Sequence, residues 1–283
     1  MGIIKNVKRL IAFLIITGGI VLICYPSFAS FINQQFANRD IADYDARMEN
    51  TSEAKLKKDM QMAYDYNATL PGGYPADPFT GSNIRDFKGT EFEDFWMVKT
   101  GAMIGYVEVL SVDIYLPIYY GTSDKVLDKG AGLLEDTSLP VGGKGTHAVI
   151  SAHTGMASKN LFTDIDQMKK GDLFFIHVLN RDFAYKVDQI KVVLPEETDD
   201  LLIEEGKDLV TLLTCTPFGV NDHRLLVRGQ RTDYDFSKDS KDAVDPGVFL
   251  KHYLWLIVIC AAAAAVSGII IARQIRKRSG KNM

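Results

Sequence analysis

The stretch TLLTCTPFGVNDHRLLVRG, Thr211 to Gly229, reads as a strand, a loop from Thr216 to His223, and a second strand. Leucine, valine and threonine fill both runs, while Pro217, Gly219 and Asn221 punctuate the connection. The first run closes on Cys215 and the second opens on Arg224. Outward from this hairpin the same texture continues. YVEVLSVDIYLPIYY (106–120), THAVISAH (146–153), GDLFFIHVLN (171–180) and FAYKVDQIKVVL (183–194) are short, β-branched or aromatic, and separated by turn residues. Many short strands with few helices predict a mainly β fold, a closed barrel or a sandwich.

The flanks differ. Between Ile32 and Tyr66 apolar residues recur at helical intervals, among them Ile41, Tyr44 and Met48, which predicts two helices broken near Asn50–Thr51. LPGGYPADPFTGSN (70–83) holds three prolines and three glycines and reads as a long loop. Asn160 to Asp172 is expected to form a short helix ending at Gly171.

Two uncharged runs bracket these elements. Leu10–Tyr25 follows Lys5, Lys8 and Arg9; Tyr253–Ala272 precedes Arg273, Arg276, Lys277, Arg278 and Lys281. The second run, at about 1.5 Å per residue, is long enough for a bilayer core, and the cations on both flanks place both ends in the cytoplasm and the intervening domain outside. The first run is a signal anchor or, with SFAS (27–30) as a processing site, a cleaved signal peptide that would remove the N-terminal end. A net charge of -4 without a basic face excludes a nucleic-acid partner.

Of three cysteines, Cys24 and Cys260 fall inside the apolar runs. Cys215 alone belongs to the exported domain, so it is either an inert buried thiol or a reactive one. A thiol is mostly protonated at neutral pH and needs a base or a cation to become a nucleophile. His153, at a strand end before a loop, suits the base; His147 shares its face. His177 reads as a packing residue, His252 abuts the second apolar run, and His223 stays a competitor beside Arg224. Arg224 could steady an oxyanion, a donor whose removal typically costs about 10²–10³ in rate. Cysteine, histidine and arginine together describe acyl transfer through a thioester.

TLLTC with an arginine nine residues on resembles the sortase signature TLxTC…R, and SAH resembles its histidine motif. LPIYYGTSDKVLDKGAGLLEDTSLPVGG, LFTDIDQMKKGDLFFIHVL and CTPFGVNDHRLLVRG are similar to class C, the pilin-polymerising branch, as are the DPF loop and the C-terminal apolar run. The resemblance implies a closed sortase-type barrel in which Cys215 is the nucleophile, His153 the acid/base and Arg224 the oxyanion donor or substrate clamp, with Thr214 beside them. It implies a lid formed by Asp77, Pro78 and Phe79, its acid on the arginine and its aromatic over the cysteine. The reaction implied cleaves a Leu-Pro-x-Thr-Gly-like signal after Thr and passes the acyl group to a lysine amine of a second pilin subunit. No cofactor is implied, and no cluster in the sequence suggests a metal site. Ala152, Thr154 and Leu133 depart from the residues usual in that branch. Anchoring of proteins to peptidoglycan precursor, or a non-catalytic assembly scaffold, are the competing readings.

The expected organisation is a basic end with signal anchor or signal peptide (1–31), N-terminal helices (32–68), a lid loop (69–85), the barrel (86–232), a polar tether (233–250), a transmembrane helix (251–272) and a basic tail (273–283).

Overall fold

A computed structural model describes residues 2–70, 75–79, 87–156, 158–237 and 258. The chain forms two compact units, residues 1–31 with 241–283, and residues 32–240. In the first, the described part is the N-terminal portion of helix α1 (Gly2–Glu49). Ile15–Glu49 of that helix is long and apolar enough to cross a membrane, and Leu22 and Ile23 are each 75% exposed. Side chains of that kind left uncovered suit lipid rather than water. The SFAS stretch is helical, inside α1. The expected second span and basic tail lie outside the described residues, apart from Val258.

The second unit is built around a closed eight-stranded barrel in the order β1-β2-β3-β4-β7-β8-β6-β5. The strands are β1 (Met103–Val109), β2 (Ile114–Tyr120), β3 (Ala131–Leu133), β4 (Thr146–Ser151), β5 (Leu173–Val178), β6 (Arg181–Val193), β7 (Asp208–Thr216) and β8 (His223–Arg231). Two neighbouring pairs, β2/β3 and β4/β7, run parallel and the others antiparallel. Closure removes the free edges that an open sheet would expose. Because side chains alternate across a strand, Leu212 and Val227 enter the main core while Leu213 and Leu226 face outward.

The N-terminal helices pack as their periodicity predicts. Ala37, Ile41, Tyr44 and Met48 of α1 are buried, and the Tyr44 hydroxyl donates to the Ile104 carbonyl at 2.8 Å while accepting from the Leu179 N–H at 3.0 Å. The break falls at 50–52, where the Ser52 side chain accepts from the Lys55 N–H at the start of α2 (Glu53–Ala68). Asn67 of α2 clamps Leu139 through both of its backbone groups.

Two expectations are corrected. Residues 160–172 form no α-helix; only Ile165–Gln167 makes a 3-10 turn. Leu161 has φ 40°, and the Phe162 N–H is taken by the distant His153 carbonyl, so a tertiary bond replaces the local ladder. The chain also stays on the barrel beyond residue 232, since Tyr234 and Phe236 pack against Phe175 of β5 with centroids 4.9 and 5.4 Å away.

Candidate active site

The β7–β8 hairpin sets the geometry. On the loop side each strand runs one residue further than the sequence suggested, leaving Pro217 to Asp222 as the loop after a cis Thr216–Pro217 bond. In the antiparallel register Cys215 stands directly opposite Arg224. Directly opposed residues hold their side chains on one face, roughly 5 Å apart at Cβ. The outer face therefore carries a thiol and a guanidinium as neighbours.

His153 reaches the same face from β4. The parallel register of β4 and β7 ends at Ser151 opposite Leu213, so two residues further each chain presents His153 and Cys215. Backbone bonds fix the histidine's position: the Ala152 N–H donates to the Leu213 carbonyl at 3.1 Å, and the Phe162 N–H to the His153 carbonyl at 3.1 Å. The Thr214 hydroxyl, buried on the inward side of β7, donates to the Ala152 carbonyl at 2.7 Å. Thr214 thus ties the cysteine's strand to the histidine's.

The DPF loop closes the constellation. Asp77 accepts from Arg224 through both oxygens, Nε to Oδ1 at 2.6 Å and Nη2 to Oδ2 at 2.8 Å, and both side chains are buried. Two such parallel bonds between planar groups fix orientation as well as charge. Arg224 Nη1 meanwhile donates to the carbonyls of Asn221 and His223. Phe79 lies between the two basic groups: its ring centroid is 5.5 Å from that of His153 and 5.1 Å from the Arg224 guanidinium carbon. Beneath it Leu134, Val149, Val193, Leu201, Leu213 and Leu226 form an apolar floor on the barrel's outer surface.

The electrostatics follow from burial and these neighbours. Burial pushes the Cys215 thiol up; Arg224 pulls it down and Asp77 pushes it up again. Burial lowers the His153 imidazole, partly opposed by the carboxylates of Asp128 and Asp124. Asp77 raises Arg224 further, so the guanidinium is permanently charged. With the loop seated, a neutral thiol faces a neutral imidazole near neutral pH.

The other histidines are engaged elsewhere. His147 is fully buried beneath the β6–β7 loop. His177 bonds Asp182 and Glu108 and stacks on Tyr106. His223 follows the hairpin loop and pairs with Asp222 at 2.8 Å. Cys24 lies on α1, and Cys260 and His252 are outside the described residues. Sequence reasoning missed the apolar floor, although strand parity gave a signal for it: Leu213 shares a face with Cys215, and Leu226 with Arg224.

Residues 107–232 match the sortase domain family. A solved structure of Streptococcus pneumoniae sortase C is 45% identical, with a TM-score of 0.62, covering 69% of this chain and 97% of that one. Clostridium perfringens sortase C, solved with the C-terminal cell wall sorting motif, is 47% identical at a TM-score of 0.60 and is covered completely, against 70% of this chain. This chain belongs to the sortase family. Among curated relatives, Bacillus subtilis sortase D is 26% identical over 79% of this chain and 98% of its own. The matches to the sortases A of Bacillus anthracis and Streptococcus agalactiae, 31% and 32% identical, take in 45% and 40% of this chain and span 59% and 47% of those proteins. The sortase fold is therefore placed by relatives covered almost end to end, and the histidine, cysteine and arginine motifs fall inside the matched segment.

Proposed function

We propose that this protein is a membrane-anchored cysteine transpeptidase that polymerises pilins. The observation that carries the reading is the pairing of Cys215 with Arg224 across the hairpin, with His153 on the same face and the Asp77–Phe79 loop packed against the histidine and the arginine. In the reaction the Asp77–Phe79 loop first leaves, freeing the guanidinium and the floor. Cys215 gives its proton to His153 and attacks the threonine carbonyl of an LPxTG-like sorting signal. Arg224 steadies the oxyanion, and the imidazolium protonates the leaving amine, so a thioester forms as the peptide bond breaks. A lysine amine of a second pilin then attacks the thioester, His153 removes its proton, and Cys215 leaves as an isopeptide bond forms. The apolar floor under Phe79 suits the apolar residues of such a signal once the ring has gone.

Support for the pilin branch comes from the similarity to sortase C structures, one of them described in terms of pilin substrate specificity. Support for the anchor comes from the apolar length of α1, with the second apolar run and its basic tail expected to return the chain to the cytoplasm. Intact mass spectrometry of the protein incubated with LPxTG-like peptides tests the chemistry: an adduct on Cys215 is expected, and none in Cys215→Ala. A lysine-linked ladder formed from a pilin substrate tests the acceptor; a cell-wall precursor adduct in its place would move the protein to anchoring, and no adduct at all would leave a scaffold.

A further inference from the structure

His147 is the second residue of β4, has no exposed surface, and spends both ring nitrogens away from Cys215. Nδ1 lies 2.8 Å from the carbonyl of Leu202, in the connection between β6 and β7, and Nε2 lies 2.8 Å from the hydroxyl of Thr211 on β7. A carbonyl only accepts, so Nδ1 carries the hydrogen. In a neutral ring Nε2 is then bare and accepts from Thr211. The neighbouring residue, Leu201, is the part of this connection that contributes to the apolar floor where Phe79 packs.

We propose that His147 is a positioning residue that latches the β6–β7 loop, and with it Leu201, into the floor of the sorting-signal groove, and that its protonation releases the loop. The proposal rests on the reading of that floor as a peptide groove. A protonated ring keeps its bond to Leu202 but turns Nε2 into a second donor facing Thr211, whose hydroxyl must then give up its own donation. It also places a charge in a site without exposed surface. The charged groups facing it are Arg228 on β8, which opposes protonation, and Glu204 on the loop and Asp188 on β6, which favour it. Burial outweighs them, and the imidazole sits below its usual range. A histidine lowered by folding holds the loop fully above about pH 6.5 and loses its hold as pH falls below that value.

The remaining ties of the loop do not titrate in that window. Glu204 accepts from Arg228 at 2.6 Å and also pairs with Lys207, and Asp200 accepts from Lys191 at 2.6 Å and Gln189 at 3.0 Å. Both carboxyls are held below their ordinary range, so they stay charged where His147 titrates.

Hydrogen–deuterium exchange on the full-length chain in detergent tests the latch, corrected for intrinsic rates. Between about pH 7.5 and 5.5 the amides of 194–207 are expected to lose about tenfold in protection, while those of β7 keep theirs. His147→Asn keeps a donor for Leu202 but does not titrate, and its loop should hold the same protection at both pH values. Thr211→Val removes the donor that favours the bare Nε2, so release should move to higher pH. Loop protection that ignores pH in the unmodified protein, or a midpoint unmoved in Thr211→Val, overturns the latch. Acyl-enzyme formation on the same samples separates this from the reaction itself: thioester without pH-dependent release sinks the latch alone, and release without thioester sinks the transpeptidase reading alone.

Discussion

The guanidinium of Arg224 and the carboxylate of Asp77 are 147 residues apart in the chain and meet in a buried two-pronged pair. The pair keeps occupied the very donor that an oxyanion would need, and its carboxylate raises the thiol beside it. Neither partner can leave alone without stranding a buried charge, which typically costs about 3–5 kcal/mol. On the proposed reading, a substrate that supplied its own carbonyl oxygen to Arg224 would offset that cost, which would couple departure of the loop to arrival of the peptide.

Removing the loop's two anchors should expose the thiol. In Asp77→Ala with Phe79→Ala, alkylation of Cys215 by iodoacetamide at neutral pH is expected to accelerate about tenfold, the effect of lowering a thiol by about one pKa unit. In the unmodified protein the alkylation rate should climb with pH through a midpoint above the ordinary thiol range. The midpoint should be lower in the double variant, because Asp77 no longer opposes Arg224. Mass spectrometry of the adduct over a pH series measures both, and an unchanged rate would discard the lid.

Arg224→Lys keeps the charge and loses the fork. Lysine cannot make the two parallel bonds that Asp77 now accepts, nor hold an oxyanion in the same fixed geometry. Acyl-enzyme formation should fall by about 10²–10³ while the iodoacetamide rate stays equal or rises. Stopped-time mass spectrometry separates the two, and a variant that acylates at the original rate would take Arg224 out of the chemistry.

Much of this arrangement was legible in the residues. The hairpin gave the Cys215–Arg224 proximity, because one residue closes the first strand and the other opens the next, and Ile41, Tyr44 and Met48 marked the buried stripe of α1. Three features were hidden because distant contacts decide them. The strand β3 is three residues long, and Gly132 in it passes so close to the Gly121 carbonyl that a Cβ would stand 2.4 Å from it. Leu161 and Phe162 abandon a helix-like pattern for a bond to His153. Tyr234 and Phe236 look like part of a polar tether until Phe175 is seen beneath them. Periodicity reports the local face of an element, and none of these three is a local choice.

Gly155, two residues after His153, has φ +73°, and a Cβ there would meet the ring of Phe218 at 3.1 Å. Gly155→Ala combines a left-handed backbone with a clash against the β7–β8 loop, for a cost of roughly 1–2 kcal/mol. That corresponds to a fall in melting temperature of about 2–4 °C per kcal/mol for a domain of this size, with slower acyl-enzyme formation as the histidine's loop shifts. Phe218→Ala in the same chain should restore part of the loss. No restoration would assign the whole effect to the backbone and none to the contact between the two loops.

The last prediction concerns which histidine moves the proton. His153 shares a face with Cys215 and lies against the tilted ring of Phe79, whereas His223 is half-exposed and bonded to Asp222 at 2.8 Å. Adjacent strand residues point to opposite sides, so with Arg224 turned toward the thiol, His223 is turned away. His153→Ala should therefore abolish turnover, by about 10²–10⁴ for loss of a positioned acid/base, with the barrel's circular dichroism and melting curve little changed. His223→Ala should turn over at nearly the original rate. Peptide cleavage and transfer measured on both variants decide the matter: activity surviving in the first and failing in the second would hand the role to His223.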